Sequence, residues 1–210
     1  MIRCVVFDFD GTLVDSNHIK RQAFFEVAGA FSDGAAAMES ILQMAGDRDR
    51  YWVFDAFARE LPGSVDASEL AERYTLICQE RIAAAPEVGG ARASLESLRN
   101  AGKQLFVNSA TPAGPLTAVV CLRRLEGLFE RIYGSPATKQ ENLAAIRSLY
   151  RYAPEEMLVV GDGESDRFSA ETTGCHFIAV ENTDNNFTQK PPSSIPNMVG
   201  LPEIVASMCS

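Results

Sequence analysis

Short apolar runs alternate with longer stretches of helical period along most of the chain. Ile2-Arg3-Cys4-Val5-Val6-Phe7 is a nearly continuous apolar run, the pattern of a strand buried on both faces. Gln104–Asn108, Met157–Val160 and Phe177–Val180 repeat it, and Arg131–Tyr133 is a weaker instance. Helical patterns lie between them. Strands that alternate with helices predict a parallel sheet covered on both faces, a doubly wound α/β core.

One stretch breaks the alternation. From about Ser16 to Ala85 no strand pattern occurs, while Ile19, Ala23, Phe24, Val27 and Ala28 recur at helical spacing, as do Leu70, Tyr74, Ile77, Cys78 and Ile82. Asp33-Gly34 and Pro62-Gly63 punctuate the segment, and Asp66 with Glu69 three residues on marks a helix start. The reading is a helical domain of about four helices, residues 15–86, inserted into a core made of residues 1–14 and 87–210. The polar, proline-rich stretch from Asn182 to Asn197 reads as a loop before a short last helix, and Thr111-Pro112 as the start of a helix.

Composition narrows the function classes. The 210 residues are 46% hydrophobic and 22% charged, ordinary for a folded globular protein. Acidic residues outnumber basic ones 28 to 19, a net charge of −9, which disfavours binding to nucleic-acid phosphates. The cysteines (Cys4, Cys78, Cys121, Cys175, Cys209) are odd in number and form no CxxC pair, so reduced thiols in a cytoplasmic protein are expected rather than zinc or disulfides. No apolar run approaches the ~18 residues of a membrane span, and the run before Asp8 is too short for a signal peptide.

Four segments carry the chemistry. In Phe7-Asp8-Phe9-Asp10-Gly11-Thr12 two carboxylates stand two apart at the end of a buried strand, where open α/β sheets bind ligands, and Gly11 permits a sharp turn. In Val159-Val160-Gly161-Asp162-Gly163-Glu164-Ser165-Asp166 a second strand ends in a glycine and a carboxylate, with Asp166 at a helix start. If the two strands are neighbours, Asp8, Asp10, Asp162 and Asp166 share a corner that needs a cation, and hard oxygen donors favour Mg²⁺. Ser109 follows a third strand and can donate to a phosphate oxygen. Thr138 and Glu141 form a capping box that places Lys139 in a first helical turn, where a cation makes sense only with an anion in front of it. Each segment also has a plainer reading, as helix-capping aspartates, a turn serine and a solvated lysine.

Taken together, Asp8-Phe9-Asp10-Gly11-Thr12, Ser109, Lys139 and Gly161-Asp162 with Asp166 resemble the four motifs of the haloacid dehalogenase superfamily, in its order and over residues 5 to about 180. The resemblance implies a Rossmann-like core, and a helical insert directly after the first motif looks like the cap of the branch holding phosphoglycolate phosphatases and β-phosphoglucomutases. Gln140 stands where many relatives have proline after the lysine. The implied roles are Asp8 as nucleophile and Asp10 as general acid and base, with Ser109 and Lys139 binding phosphate. Mg²⁺ would be held by the Asp8 and Asp162 carboxylates and the Asp10 backbone carbonyl, with Asp166 orienting metal waters or Lys139. Asn108 would add a hydrogen bond to the substrate, and Arg48 or Arg50, in the mid-insert Gly46-Asp47-Arg48-Asp49-Arg50, would bind a second anionic group or form a charged turn.

The expected activity is Mg²⁺-dependent hydrolysis of a small phosphomonoester, a sugar phosphate or phosphoglycolate-like metabolite, through an aspartyl-phosphate. A phosphomutase would use the same residues and differ in the cap. A 2-haloacid dehalogenase needs no acid two residues after its nucleophile and no metal. A phosphoaspartate receiver, the non-enzyme alternative, is usually shorter and lacks a helical insert.

Overall fold

Residues with no polar atom to satisfy can fill a central strand on both faces, and β1 (Cys4–Phe7) is fully buried along its length. It is the centre of the computed structural model, which describes residues 1–46, 48–185 and 187–208. Four helices follow: α1 (Asn17–Ala28), α2 (Gly34–Ala45), α3 (Arg50–Glu60) and α4 (Ala67–Ala84). The rest of the chain runs α5 (Ala91–Asn100), β2 (Gln104–Pro112), α6 (Ala113–Leu122), β3 (Arg131–Ser135), α7 (Lys139–Tyr150), β4 (Met157–Gly161), α8 (Glu164–Thr173), β5 (His176–Val180), β6 (Ser194–Ile195) and α9 (Leu201–Ser207). The chain divides into two compact units, Met1–Asp15 with Ala85–Ser210, and Ser16–Ala84.

The first unit is a six-stranded sheet in the order β3-β2-β1-β4-β5-β6, parallel throughout. The order reverses direction at β1, so the chain winds outward both ways from it: the doubly wound α/β fold expected from the alternation. Register places the chemistry. Phe7 pairs with Val107 on one side and Val160 on the other, so Asp8, Asn108 and Gly161 come next on three adjacent strands. The Asp8 N–H donates to the Val160 carbonyl at 2.9 Å and holds that alignment past the last paired residue. On one face Val6, Phe106, Met157 and Val159 pack with Leu143 and Ile146 of α7 and Ala170 of α8 into one core cluster.

Three details differ from the sequence reading. β1 begins at Cys4 rather than Ile2. Thr111 and Pro112 extend β2 instead of opening α6: a residue before proline is pushed to extended geometry, and Pro112 itself lies at ψ 142°. The polar stretch 182–197 contains β6, where Ile195 is buried and pairs with Val180. A two-residue strand in a run of prolines and serines has no periodicity to announce it.

The second unit is a four-helix assembly with an aromatic centre. Phe54 and Phe57 are buried, and Tyr74 contacts Phe24 at 4.3 Å and Phe54 at 5.7 Å between ring centroids. Asp66 accepts from the Ser68 N–H at 2.8 Å and starts α4 where the sequence placed a cap. Among the described residues no helix is long and apolar enough to cross a membrane. Cys4, Cys78, Cys121 and Cys175 are free thiols; Asp47 and Cys209 lie outside the described residues.

Candidate active site

The carboxyl ends of β1, β2 and β4 carry a buried acidic corner. Asp8, Asp162 and Asp166 each bring a carboxylate oxygen within 4.8 Å of the other two. Into them reaches Lys139, whose Nζ lies 3.0 Å from Asp8 Oδ2 and 2.8 Å from Asp166 Oδ1. All four residues are at most 9% exposed. The cation gets there because Thr138 is the N-cap of α7, with its hydroxyl accepting from the Glu141 N–H at 3.2 Å and the Glu141 carboxylate accepting from the Thr138 N–H at 2.7 Å. This capping box starts the helix at Lys139 and so fixes where its side chain departs. Thr138→Ala is expected to cost about 1 kcal/mol of stability, read as a lower urea midpoint at unchanged m-value; an unchanged midpoint would mean that the cap holds nothing.

Burial alone would pull the Lys139 ammonium down, but the Asp166 and Asp8 carboxylates outweigh it and hold its pKa above the ordinary lysine value. The two carboxylates thus favour the charged form of Lys139. Asp166 is turned to this task. Its second oxygen accepts from the Gly163 N–H at 3.2 Å, and the carboxyl lies so close to β4 that a Cβ on residue 161 would sit 2.3 Å from Asp166 Cγ. Only glycine at 161 admits that approach.

Asp162 is gripped from three directions. Thr12 Oγ1 donates to Asp162 Oδ1 at 2.8 Å, Asn182 Nδ2 to Oδ2 at 2.8 Å, and Asn185 Nδ2 to the Asp162 carbonyl at 2.8 Å. The two asparagines escaped the sequence reading; the only hint was their position just past the apolar run of β5. Asp10 was expected to share this corner, but among the described residues the converging carboxylates are Asp8, Asp162 and Asp166 without it. Its Oδ2 accepts from Thr111 Oγ1 at 2.9 Å.

Three carboxyl groups and one ammonium converge at the mouth of a parallel sheet; burial, with the Asp8 and Asp162 charges beside it, pushes the Asp166 carboxyl up to about 8 despite Lys139, and the donors are hard oxygens. That set fits Mg²⁺ rather than a metal that prefers sulfur or imidazole.

The remaining expected residues divide. Ser109 is buried beside the corner; its Oγ accepts from the Thr111 N–H at 3.1 Å, which leaves its own O–H to donate. Asn108 is tied to the start of α7: its Nδ2 donates to the Lys139 carbonyl and its Oδ1 accepts from Asn142 Nδ2, both at 2.9 Å, with a second amide hydrogen beyond these two bonds. Arg48 and Arg50 lie in the helical unit. Arg48 stacks on Trp52 at 4.5 Å, and Arg50 covers Tyr74 at 5.0 Å and donates to Thr75 Oγ1 at 2.9 Å.

Comparison with known proteins gives the same frame. Residues 5–180 match the haloacid dehalogenase-like hydrolase family. A phosphoglycolate phosphatase of Pseudomonas aeruginosa is 27% identical over 191 residues, covering 85% of this chain and 69% of that one. Another from Cereibacter sphaeroides is 28% identical over 179 residues, 82% of each chain. The crystal structure of a predicted phosphoglycolate phosphatase from Haemophilus somnus superposes with a TM-score of 0.77 at 16% identity, covering 97% of this chain and 98% of that one, a likeness of fold. The chain belongs to the haloacid dehalogenase-like hydrolases, and within them it is an enzyme similar to the phosphoglycolate phosphatases.

Proposed function

We propose that this hydrolase is a Mg²⁺-dependent phosphomonoesterase that acts on a small phosphorylated metabolite, a sugar phosphate or phosphoglycolate-like ester, through an aspartyl-phosphate on Asp8. The observation that carries the reading is the Lys139 ammonium clamped between Asp8 and Asp166 beside Asp162. A phosphoryl group is the anion such a corner suits: a carboxylate to attack it, positive charge to receive its oxygens, and converging carboxylate oxygens that could hold a divalent cation.

In the first half-reaction an Asp8 oxygen bonds to phosphorus while the ester P–O bond breaks. Asp10 gives its proton to the departing alcohol oxygen, and the products are the alcohol and the aspartyl-phosphate. In the second, Asp10 takes a proton from water as that water attacks phosphorus, which frees inorganic phosphate and restores Asp8. Lys139 and the Ser109 hydroxyl offset charge on the phosphoryl oxygens throughout. The Asp8 and Asp162 carboxylates and the Asp10 backbone carbonyl would hold Mg²⁺, whose contribution when bound is further neutralisation of those oxygens. Asp166 orients Lys139.

Residues 1–14 and 87–210 form the catalytic core in this reading, and residues 15–86 act as a cap that excludes water and sets specificity. Within the cap Arg48 is exposed before α3, and it is the arginine proposed to bind a second anionic group. Arg50 is engaged by Thr75 and Tyr74.

The test is phosphate release from 2-phosphoglycolate, hexose monophosphates and p-nitrophenyl phosphate, with Mg²⁺ and with excess chelator. Multiple turnover that chelation removes is expected. Turnover unchanged by chelator would contradict the metal assignment. Isomerisation of a hexose phosphate with little release would move the chain to the mutases.

A further inference from the structure

We infer that Thr111 is the positioning residue for the general acid, and that its hydroxyl decides how well this enzyme protonates poor leaving groups. The inference rests on the role given to Asp10 above. A carboxyl that must hand its proton to an ester oxygen works only when its rotamer is held, since a small error in the angle of transfer costs rate. Thr111 Oγ1 donates to Asp10 Oδ2 at 2.9 Å across a separation of 101 residues in sequence.

Thr111 is itself held at more than one point. Its N–H donates to Ser109 Oγ at 3.1 Å. Its carbonyl oxygen lies against Gly134 of β3, where an added Cβ would come within 2.5 Å of it. The β2–β3 register shifts between Asn108 and Pro112, so the strand departs from regular pairing just where Ser109 and Thr111 are offered to the site. Pro112 keeps Thr111 extended, which stops α6 from starting early and drawing the hydroxyl away. Strand geometry, a serine, a glycine and a proline thus converge on where one hydroxyl points.

The step affected is the first half-reaction. As the Asp8–phosphorus bond forms and the ester P–O bond breaks, the Asp10 proton goes to the leaving oxygen. An alkoxide cannot leave without that proton, whereas p-nitrophenolate can. Loss of the Thr111 hydroxyl must therefore fall unequally on the two ester classes, while a change that merely loosens the fold falls on both.

The experiment compares kcat/KM for β-glycerophosphate and p-nitrophenyl phosphate in wild type, Thr111→Val and Thr111→Ser, with saturating Mg²⁺. kcat/KM reports only events up to formation of the aspartyl-phosphate, so the later base role of Asp10 does not enter. The Thr111→Val enzyme should lose about ten- to a hundredfold on the alkyl ester, part of the 10²–10⁴ that general acid catalysis supplies, and stay within about twofold on the aryl ester. Thr111→Ser, which keeps the hydroxyl, should recover most of the loss. Equal losses on both esters, or none on either, would overturn the inference with the phosphatase reading intact. A wild-type enzyme that hydrolyses neither ester would overturn that reading and this inference with it.

Discussion

Asp8→Asn should abolish turnover while leaving the fold in place. The amide has nearly the shape of the carboxylate and can still accept from the Phe9 N–H, which lies 2.7 Å from Asp8 Oδ1. What it loses is the proposed nucleophile. Removing the attacking group of a catalytic unit costs orders of magnitude in kcat, here at least about 10⁴-fold. Stability should change far less. Neutralising Asp8 relieves repulsion with its acidic neighbours and leaves Lys139 its partner Asp166, but it removes the Lys139–Asp8 ion pair and turns an amide NH2 toward the ammonium. The thermal midpoint in chelator is therefore expected to fall by no more than a few degrees. An Asp8→Asn protein that unfolds, or one that retains measurable multiple turnover, contradicts the account at its centre.

Lys139→Met is the second large effect, and it acts on stability as well as rate. Methionine fills the stem of lysine but brings no charge. Asp8, Asp162 and Asp166 would then face one another with the ammonium gone from between them. Breaking a buried ion pair by removing one partner costs about 3–5 kcal/mol, because the other charge stays behind without its counterion. Urea unfolding in chelator should show a loss of that order. Mg²⁺ should restore more stability to the variant than to wild type, since removing the ammonium from the carboxylates tightens cation binding there, and a ligand that binds only the folded state stabilises more as its Kd falls. Catalysis should fall by about 10²–10³, the scale of a lost electrostatic donor. An unchanged urea midpoint in chelator would mean that Lys139 does not neutralise the corner.

Much of the site could be read from the chain because its parts lie at ends of elements with strong local signals. Buried parallel strands read as bare apolar runs, and a carboxylate directly after one of them has to stand at the strand's end. Lys139 was legible for a similar reason: Thr138 and Glu141 announce the helix start, and a cation there is out of place without an anion. What stayed hidden depends on contacts between distant residues. Asn182 and Asn185 grip Asp162, yet in sequence they look like the rest of a polar loop. Asn108 reads as a polar group at a strand end and only the fold shows it tied to Lys139 and Asn142. Thr111 was read as a helix start because Thr-Pro begins many helices; the pairing of Pro112 with Ser135 keeps it in the sheet instead.

The stability of the corner also explains its shape. A parallel sheet brings strand ends together at one edge, so acidic residues from β1 and β4 meet whether or not their charges agree. The chain answers with Lys139 at the start of α7, with Thr12 and two asparagines on Asp162, and with Gly163 N–H on Asp166. In the proposed function these contacts would hold the acidic residues at a fixed geometry for a phosphoryl group and a cation, the kind of preorganisation that electrostatic catalysis requires.

The most direct measurement is to catch the intermediate. Enzyme turning over p-nitrophenyl phosphate with Mg²⁺ is quenched, treated with borohydride, digested and sequenced by tandem mass spectrometry. An acyl phosphate is reduced to an alcohol, so the account predicts homoserine at position 8 and nowhere else, absent from the Asp8→Asn protein and from samples quenched without substrate. Reduction at Asp10, Asp162 or Asp166 instead, or brisk turnover with position 8 unmodified at every quench time, would contradict an aspartyl-phosphate on Asp8.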